Sequence, residues 1–248
     1  MPDLDDIGMA IMVRNPGLLF VQNGGTGCSS VGKYLRSHLE GEVIGKKHAS
    51  LPELLDEGVL SRDRIRDYTV FDTVRNAFDR VATAYQRLAG GEWKRFLEDR
   101  SSWVYRGDPR YPEILRKDIA FAENNDFETW VTRSYGFSAL TRMRTKALLG
   151  IADPVYREQI RMTRLVDTCI RFERLEEGLK ALLGRVGVDD PGPLSNVNPT
   201  RGKTPYRELY TAKARRIVER VYRGELRRFG YAFTGPRSGE PLIELRRG

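Results

Sequence analysis

The chain has 248 residues, enough for one domain with a full hydrophobic core. Its 42 basic side chains exceed 34 acidic ones, and the resulting net charge of +8 favours an anionic partner, although a solvated arginine-rich surface explains the excess equally well. Cys28 and Cys169 are too few for a disulfide framework, and with only two histidines they leave no cluster for a metal ion, so none is expected.

The sequence also bears on location. No apolar run approaches the roughly 18–20 residues that a membrane helix needs. The N-terminus begins Met-Pro-Asp-Leu-Asp-Asp and lacks the basic and apolar regions of a secretory signal. We therefore expect a soluble, cytoplasmic protein with no membrane span.

Strand and helix patterns alternate over the first 89 residues. They predict, in chain order, a strand over 18–23, a helix from Ser29, a short strand over 42–47, a helix over 50–58, a strand over 68–75 and a helix over 76–89. Ser50 and Glu53 have the spacing of a capping box, which supports a helix start at that point. Such alternation is typical of an α/β protein with a mostly parallel sheet.

The second half of the chain is less regular. Residues 90–168 are expected to form a helical insertion. The patterns that follow predict a strand over 169–172, a helix over 175–183, a loop over 191–205 and one long helix over 206–229. The residues after Gly235 are polar and are expected to form a mobile tail. We expect a single domain over 1–235, with 236–248 as the tail.

The most informative segment runs from Thr69 to Tyr85. An apolar run ends at Arg75, and Thr83 lies two turns into the helix that follows. A guanidinium at a strand end and a hydroxyl on the next helix can bind one phosphate from two sides. The segment therefore predicts a nucleotide site, with the alternative that Arg75 caps a surface and Thr83 only packs.

A glycine-rich turn links the first predicted strand to its helix. Its residues are Asn23, Gly24, Gly25, Thr26, Gly27, Cys28 and Ser29. Glycines let backbone N–H groups approach an anion, and the helix N-terminus adds a favourable field. An ordinary strand–helix turn remains the alternative. No Gly-Lys-Ser/Thr follows, so the turn is not a Walker A loop, and a nucleotide-dependent kinase is disfavoured.

A third candidate segment lies in the loop before the last helix. It carries Arg201 and Lys203 beside Gly202, after a proline break. Two cations in such a loop can fold over a bound nucleotide, although a solvated basic loop explains them equally well.

Together these segments resemble the sulfotransferases that use 3′-phosphoadenosine 5′-phosphosulfate (PAPS), in particular the group acting on carbohydrates and its bacterial relatives. Residues 74–85, VRNAFDRVATAY, match the family's 3′-phosphate segment at nearly every defined position. Ala77 stands where the family has proline, and Thr83 where it has serine. Residues 18–35 are similar to the strand, loop and helix that bind the 5′-phosphosulfate in that family.

The resemblance continues through 172–179 and 197–233 and is loose over 90–168. It implies a three-layer, P-loop-like fold, with residues 90–168 forming an insertion on the acceptor side. It also implies that the glycine turn binds the 5′-phosphosulfate of PAPS, that Arg75 and Thr83 bind the 3′-phosphate, and that 3′-phosphoadenosine 5′-phosphate (PAP) is the product.

One departure concerns the lysine that the family carries in its 5′ loop. The corresponding position here is Asn23 or Gly25, and neither is cationic. A positioned donor at a developing charge is worth roughly 3–4 kcal/mol. Either another cation compensates, namely Lys33 or one of Lys46 and Lys47, or the backbone amides suffice in a slower enzyme, or the chain binds nucleotide without transferring sulfate.

Transfer also needs a base for the acceptor hydroxyl. His48 follows the second predicted strand, where some family members carry a catalytic histidine, so it is the leading candidate, with helix capping as the alternative. Glu53 is a weaker candidate. His38, late on the first helix, is expected to be structural.

The resemblance thus favours a sulfotransferase that acts on a hydroxyl of a saccharide or glycolipid, with no nucleic acid partner. Aromatic residues of the insertion are expected either to stack on the acceptor or to form a helical core; they are Trp93, Trp103, Tyr105, Tyr111, Trp130 and Tyr135. The alternatives are a homologue with weak or no transfer activity and a basic nucleic-acid-binding protein.

Overall fold

The structure is a computed structural model that describes residues 10–45, 49–105, 109–139, 158–189, 192–197, 199–200 and 202–245. Its strands are β1 (Ala10–Val13), β2 (Leu18–Phe20), β3 (Glu42–Ile44), β4 (Thr69–Val74), β5 (Thr168–Arg171), β6 (Tyr231–Ala232), β7 (Gly235–Pro236) and β8 (Leu242–Glu244). Its helices in the first 139 residues are α1 (Cys28–His38), α2 (Leu51–Asp56), α3 (Arg62–Ile65), α4 (Ala77–Ala89), α5 (Lys94–Glu98), α6 (Tyr111–Glu123) and α7 (Phe127–Tyr135). The later ones are α8 (Glu158–Met162), α9 (Leu175–Arg185), α10 (Tyr206–Leu209), α11 (Ala212–Val221) and α12 (Arg223–Arg228).

The described residues form a six-stranded sheet in the order β3-β1-β2-β4-β5-β8. Strands β2, β4 and β5 pair in parallel at its centre, and β1 and β8 run against them. Strand β3 is antiparallel to β1 and so has the direction of the central three. The predicted α/β class, with a mostly parallel central sheet flanked by helices, is confirmed.

Strand β1 was not among the predicted elements. Residues 10–13 are all buried and pair on both sides, with β2 and with β3. A tight turn through Gly17, whose φ is 85°, returns the chain into β2. The run is only four residues long, so its apolar character alone did not separate it from an apolar loop.

The predicted mobile tail is wrong for residues 242–244. They form β8, which pairs antiparallel with β5 and covers that edge of the sheet. A hydrogen bond of 2.6 Å from Thr168 Oγ1 to Glu244 Oε2 supports the pairing. The apolar pair Leu242 and Ile243 was too short a pattern against a polar background to indicate a strand.

The single long helix predicted over 206–229 is divided into α10, α11 and α12. Tyr210 and Thr211 have extended ψ angles of 117° and 165°, which break the helical hydrogen bonding. Thr211 then caps α11, because its side chain accepts a hydrogen bond from the Ala214 amide. Val218 of α11 and Phe229 after α12 are both buried.

The insertion over 90–168 is largely helical where the structure describes it, and it shares the core on the α4 face of the sheet. Phe127, Trp130 and Tyr85 form an aromatic group in this core, with ring centroids 5.3–6.3 Å apart. Trp130 is therefore a core residue, while the side chain of Trp103 lies outside the described part of the chain. Among the described helices, none has the length and apolar character to cross a membrane.

Candidate functional site

Three chain segments meet at one edge of the sheet, where β2, β4 and β5 end. They are residues 21–27, the pair Arg75 and Asn76, and residues 172–174. The backbone N–H of Asn76 donates to Glu173 Oε1 at 2.9 Å, and this hydrogen bond connects two of the segments. Ligands of open α/β sheets bind at the carboxyl ends of the strands, so this edge is where a site is expected.

Two positions of the glycine turn have a backbone conformation that favours glycine. Gly25 and Gly27 have φ angles of 77° and 89°. A Cβ atom on Gly27 would lie 2.6 Å from Leu175 Cδ2, so close packing also excludes a side chain there. Gly27 is the N-cap of α1 and supplies no side-chain cap. The turn therefore combines an uncapped helix N-terminus, which favours anions, with a tightly packed backbone.

Two polar side chains of the turn lie in the interior. Thr26 is fully buried, and its hydroxyl donates to the Asn23 carbonyl at 2.6 Å and lies 2.7 Å from Thr73 Oγ1. The Asn23 side chain is also fully buried, and neither atom of its amide has a hydrogen-bond partner among the described residues. Thr26 is therefore committed to internal bonds, whereas Asn23 retains unused donors.

Cys28 is buried at the start of α1. Burial and the nearby Asp72 carboxyl raise the pKa of its thiol to about 11, so it is neutral near pH 7. Gly24 and Ser29 are half-buried, and Gly25 is exposed. A ligand at this turn would therefore meet the backbone and Ser29 rather than the Cys28 sulfur.

Arg75 connects the end of β4 to the glycine turn. Its Nη1 donates to the Gly25 carbonyl at 3.1 Å, and its Nη2 donates to Thr83 Oγ1 at 2.8 Å. Its Nε donates to Asp79 Oδ2 at 2.8 Å, and its guanidinium lies 4.2 Å from the ring centroid of Phe172. Arg75 is only 6% exposed, so these contacts fix its position. The structure thus brings the two predicted residues, Arg75 and Thr83, into direct contact beside the turn.

Asp79 was not predicted, and it lies between two of the predicted cations. Its Oδ2 is 2.7 Å from Arg75 Nη2, and its Oδ1 is 2.7 Å from Lys203 Nζ. We call Arg75, Asp79, Thr83 and Lys203 the arginine cluster. Its two positive charges and one negative charge leave a net positive charge. Residues 75, 79 and 83 are four apart, and residues at that spacing are neighbours on a helix face. This spacing is the sequence signal that could have predicted the contact of Asp79 with Arg75.

The segment that carries Lys203 is fastened to α4. Thr204 exchanges two hydrogen bonds with the Gln86 side chain, of 2.6 and 3.1 Å, and Arg87 Nε donates to Thr200 Oγ1 at 3.0 Å. These contacts hold Lys203 over the same helix face as Thr83. The predicted closure of this loop over the site is therefore consistent with its position, although Arg201 lies outside the described residues.

Arg80, in the first turn and a half of α4, also lies beside the glycine turn. Its Cγ would be 3.8 Å from a Cβ atom on Gly25. Its guanidinium is 3.8 Å from the carboxylates of Glu158 and Glu225. Burial lowers the pKa of Arg80, but these carboxylates outweigh it and raise the pKa overall, so the side chain stays charged.

Of the remaining predicted cations and the leading base, the structure describes only Lys33. Lys46, Lys47 and His48 lie outside the described residues. Lys33 is described and is exposed on α1. The compensating cation and the catalytic base predicted at these positions remain predictions.

Glu53, the weaker candidate base, and His38 both have structural partners. Glu53 forms the predicted capping box with Ser50 and pairs with Arg161 at 2.7 Å. Burial raises the pKa of Glu53, but the hydrogen bonds from Ser50 and the charge of Arg161 outweigh it, so the pKa is lowered and the group is a weak base. His38 stacks on Tyr34, which agrees with the structural role expected for it.

Among the described residues, no group of three or more His, Cys, Asp or Glu side chains is arranged to hold a metal ion. No protein-family model, no curated protein and no solved structure matches the chain. The functional argument therefore depends on the residues of the site itself.

Proposed function

We propose that this protein is a sulfotransferase that moves a sulfuryl group from PAPS to a hydroxyl acceptor. The observation that carries the proposal is the contact of Arg75 with both the glycine turn and Thr83. A nucleotide whose 5′ group binds at the turn could place its 3′-phosphate at the arginine cluster, because the two sites share one edge of the sheet. The P-loop-like form of the fold is part of this proposal.

The chemistry of the arginine cluster supports an oxyanion ligand. The Asp79 carboxylate lies 2.7 Å from nitrogen atoms of both Arg75 and Lys203, which is the arrangement that a phosphate oxygen adopts between two cations. The Thr83 hydroxyl adds a further group on the same helix face. The Asp79 carboxylate thus occupies a position suited to an anion.

The proposed reaction is an in-line displacement at sulfur. The bond between sulfur and the bridging oxygen of the phosphosulfate breaks, and a bond between sulfur and the acceptor oxygen forms. The acceptor proton passes to a base, for which His48 remains the candidate. The products are a sulfate ester and PAP, whose 5′-phosphate carries the charge that develops on the bridging oxygen.

Arg80 is a candidate for the cation that balances this charge. The aliphatic part of its side chain lies beside Gly25, one of the two positions that correspond to the family's lysine. Its ion pairs with Glu158 and Glu225 are long, at 3.8 Å, so the guanidinium is not saturated by them. Arg80 thus joins Lys33, Lys46 and Lys47 as a proposed source of the missing charge. The acceptor is proposed to be a saccharide or glycolipid hydroxyl.

Calorimetry with PAP and AMP tests the proposal, because the two nucleotides differ by the 3′-phosphate. We expect the wild-type protein to bind PAP more tightly. We expect Arg75→Ala to weaken PAP binding by about tenfold or more, since a charge-assisted contact is worth about 1.5–3 kcal/mol. Arg66→Ala is the matched control, because Arg66 precedes β4, is exposed and forms a long pair of 3.6 Å with the exposed Asp63.

Equal affinity of the wild-type protein for PAP and AMP would remove the nucleotide site from the proposal. If PAP binds but no radiolabelled sulfate is transferred to any hydroxyl acceptor tested, the protein is the alternative, a binding homologue without transfer activity.

One observation favours nucleic acid binding as a second candidate function. Five exposed cations recur three or four residues apart within each of two consecutive helices; Lys213, Arg216 and Arg220 share one side of α11, and Arg223 and Arg227 share one side of α12. Among the described residues, only Lys213 of this set forms an ion pair, with Glu128 at 3.1 Å.

The salt dependence of duplex DNA binding tests this second candidate. Each phosphate contact contributes a slope of about −0.9 in a plot of log affinity against log salt. Replacing Arg216 and Arg220 together with Gln should then reduce the slope by about 2. A slope that is unchanged in this variant would exclude the helix surface as the binding face.

A further inference from the structure

The backbone of Arg75 has polar groups that the sheet does not satisfy. The parallel pairing of β4 with β5 ends at Val74, opposite Arg171. Arg75 follows directly and is 6% exposed, so its N–H and C=O groups need partners from elsewhere.

The side chain of Gln159 satisfies both groups. Its Oε1 accepts from the Arg75 amide at 2.9 Å, and its Nε2 donates to the Arg75 carbonyl at 3.1 Å. The two residues are 84 positions apart, and Gln159 is 1% exposed on α8. One side-chain amide therefore takes the place of a neighbouring strand at the residue that carries the guanidinium.

Gln159 is itself held by a buried carboxylate. The backbone N–H of Gln159 donates to Glu225 Oε1 at 3.0 Å, and the side-chain Nε2 of Gln159 donates to Glu225 Oε2 at 2.7 Å. Both hydrogens of the side-chain amide are thus used, one on Glu225 and one on Arg75. Burial raises the pKa of Glu225, opposed by the charge of Arg80 and the hydrogen bonds from Gln159. The orientation of the Gln159 amide is determined by these partners.

The direction of Arg75 depends on this support. Its guanidinium makes hydrogen bonds of 2.8–3.1 Å to Asp79, Thr83 and Gly25, and each has a narrow tolerance in distance and angle. A small shift of the Arg75 backbone would break several of them together. From this we infer that Gln159, held by Glu225, is a positioning residue that orients Arg75 for recognition of a 3′-phosphate, an inference that depends on the proposed function.

The test measures how much the 3′-phosphate adds to binding, as the ratio of the AMP and PAP dissociation constants. Gln159→Met removes every hydrogen bond of the side chain at similar size. Gln159→Glu is nearly isosteric, but it lacks the donors to Arg75 and Glu225. We expect each variant to lower the ratio by about fivefold or more while AMP affinity changes by less than about twofold.

Thr163→Val is the matched control. Thr163 is fully buried close to α8, and its hydroxyl donates to the Gln159 carbonyl at 2.8 Å. This variant should lower the melting temperature and leave the ratio unchanged, because the bonds from the Gln159 side chain to Arg75 remain. A ratio that falls equally in Thr163→Val would reduce the effect to general destabilisation and overturn the inference.

Hydrogen exchange of the Arg75 amide supplies a readout without ligand. We expect faster exchange in Gln159→Met than in the wild-type protein, since the acceptor of that amide is lost. If exchange accelerates but the ratio stays at its wild-type value, Gln159 only satisfies buried groups and does not position Arg75. A wild-type ratio of one would instead contradict the proposed function itself, so the two failures are distinguishable.

Discussion

The two ends of β4 differ in charge and in open space. At the carboxyl end, Arg75, Asp79 and Lys203 are joined by contacts of 2.7 Å, and their own side chains fill the space between them. Near the amino end, a cleft of about 350 Å³ opens beside the segments that lead into β4 and β5, and Leu60 and Arg62 line it. Open space therefore lies near the amino end of β4, whereas the closely spaced charges lie at its carboxyl end.

Under the proposed function, the anion binds at the filled end of β4 and not in the open cleft. Two cations without a counter-charge repel each other, and a carboxylate of the chain can occupy the ligand's place between them. The interpretation that follows is that the carboxyl end of β4 is an anion site closed by Asp79. Three predictions test this comparison.

The largest expected effect follows replacement of Asp79. Asp79→Asn leaves Arg75 and Lys203 without their counter-charge, and breaking a buried ion pair costs about 3–5 kcal/mol. Partial exposure of Lys203 places the expected loss near the lower limit. Inorganic phosphate at matched ionic strength should restore more of the melting temperature in this variant than in the wild-type protein, because phosphate replaces the lost charge.

Asp63→Asn is the control for this measurement. Asp63 is exposed, and its 3.6 Å pair with Arg66 lies at the other end of β4. Its stability should change by less than about 0.5 kcal/mol, with no added response to phosphate. Equal phosphate responses in both variants would show that the two ends of the strand do not differ as anion sites.

A smaller effect is expected at Thr83, whose hydroxyl accepts from Arg75 Nη2. Thr83→Val keeps the shape and removes the hydroxyl, so PAP affinity should fall by about fivefold, as expected for one hydrogen bond of about 1 kcal/mol. Thr83→Ser keeps the hydroxyl and should stay within about twofold of the wild-type protein. Calorimetry would contradict the role of the hydroxyl if both variants lost affinity equally.

The smallest effect concerns Glu53 on α2, the helix whose residues also line the cleft. Its folded-state pKa is lowered, so it stabilises the protein above its unfolded pKa, and this contribution is lost as pH falls through the folded pKa. The wild-type protein should therefore lose more melting temperature than Glu53→Gln between about pH 5 and about pH 3. Parallel pH profiles for the two proteins would remove this assignment.

Local patterns predicted the elements that carry the site. The capping box at Ser50 and the spacing of Arg75 and Thr83 each involve residues within one or two helical turns, so a short window of sequence contains the whole interaction. Strand β8 escaped prediction because its stability comes from pairing with β5 rather than from its own short apolar run. The break at Tyr210 escaped because helical periodicity continues across it.

The sequence by itself determined the α/β class, the glycine turn and the alignment of an arginine with a hydroxyl beyond the central strand. Each depends on backbone sterics or on side chains a few residues apart. Only the tertiary structure decided that Asp79 lies between Arg75 and Lys203 and that Gln159 binds the Arg75 backbone. The contacts made by Lys203 and Gln159 join distant segments, and their geometry exists only after the sheet has set which strand ends are neighbours.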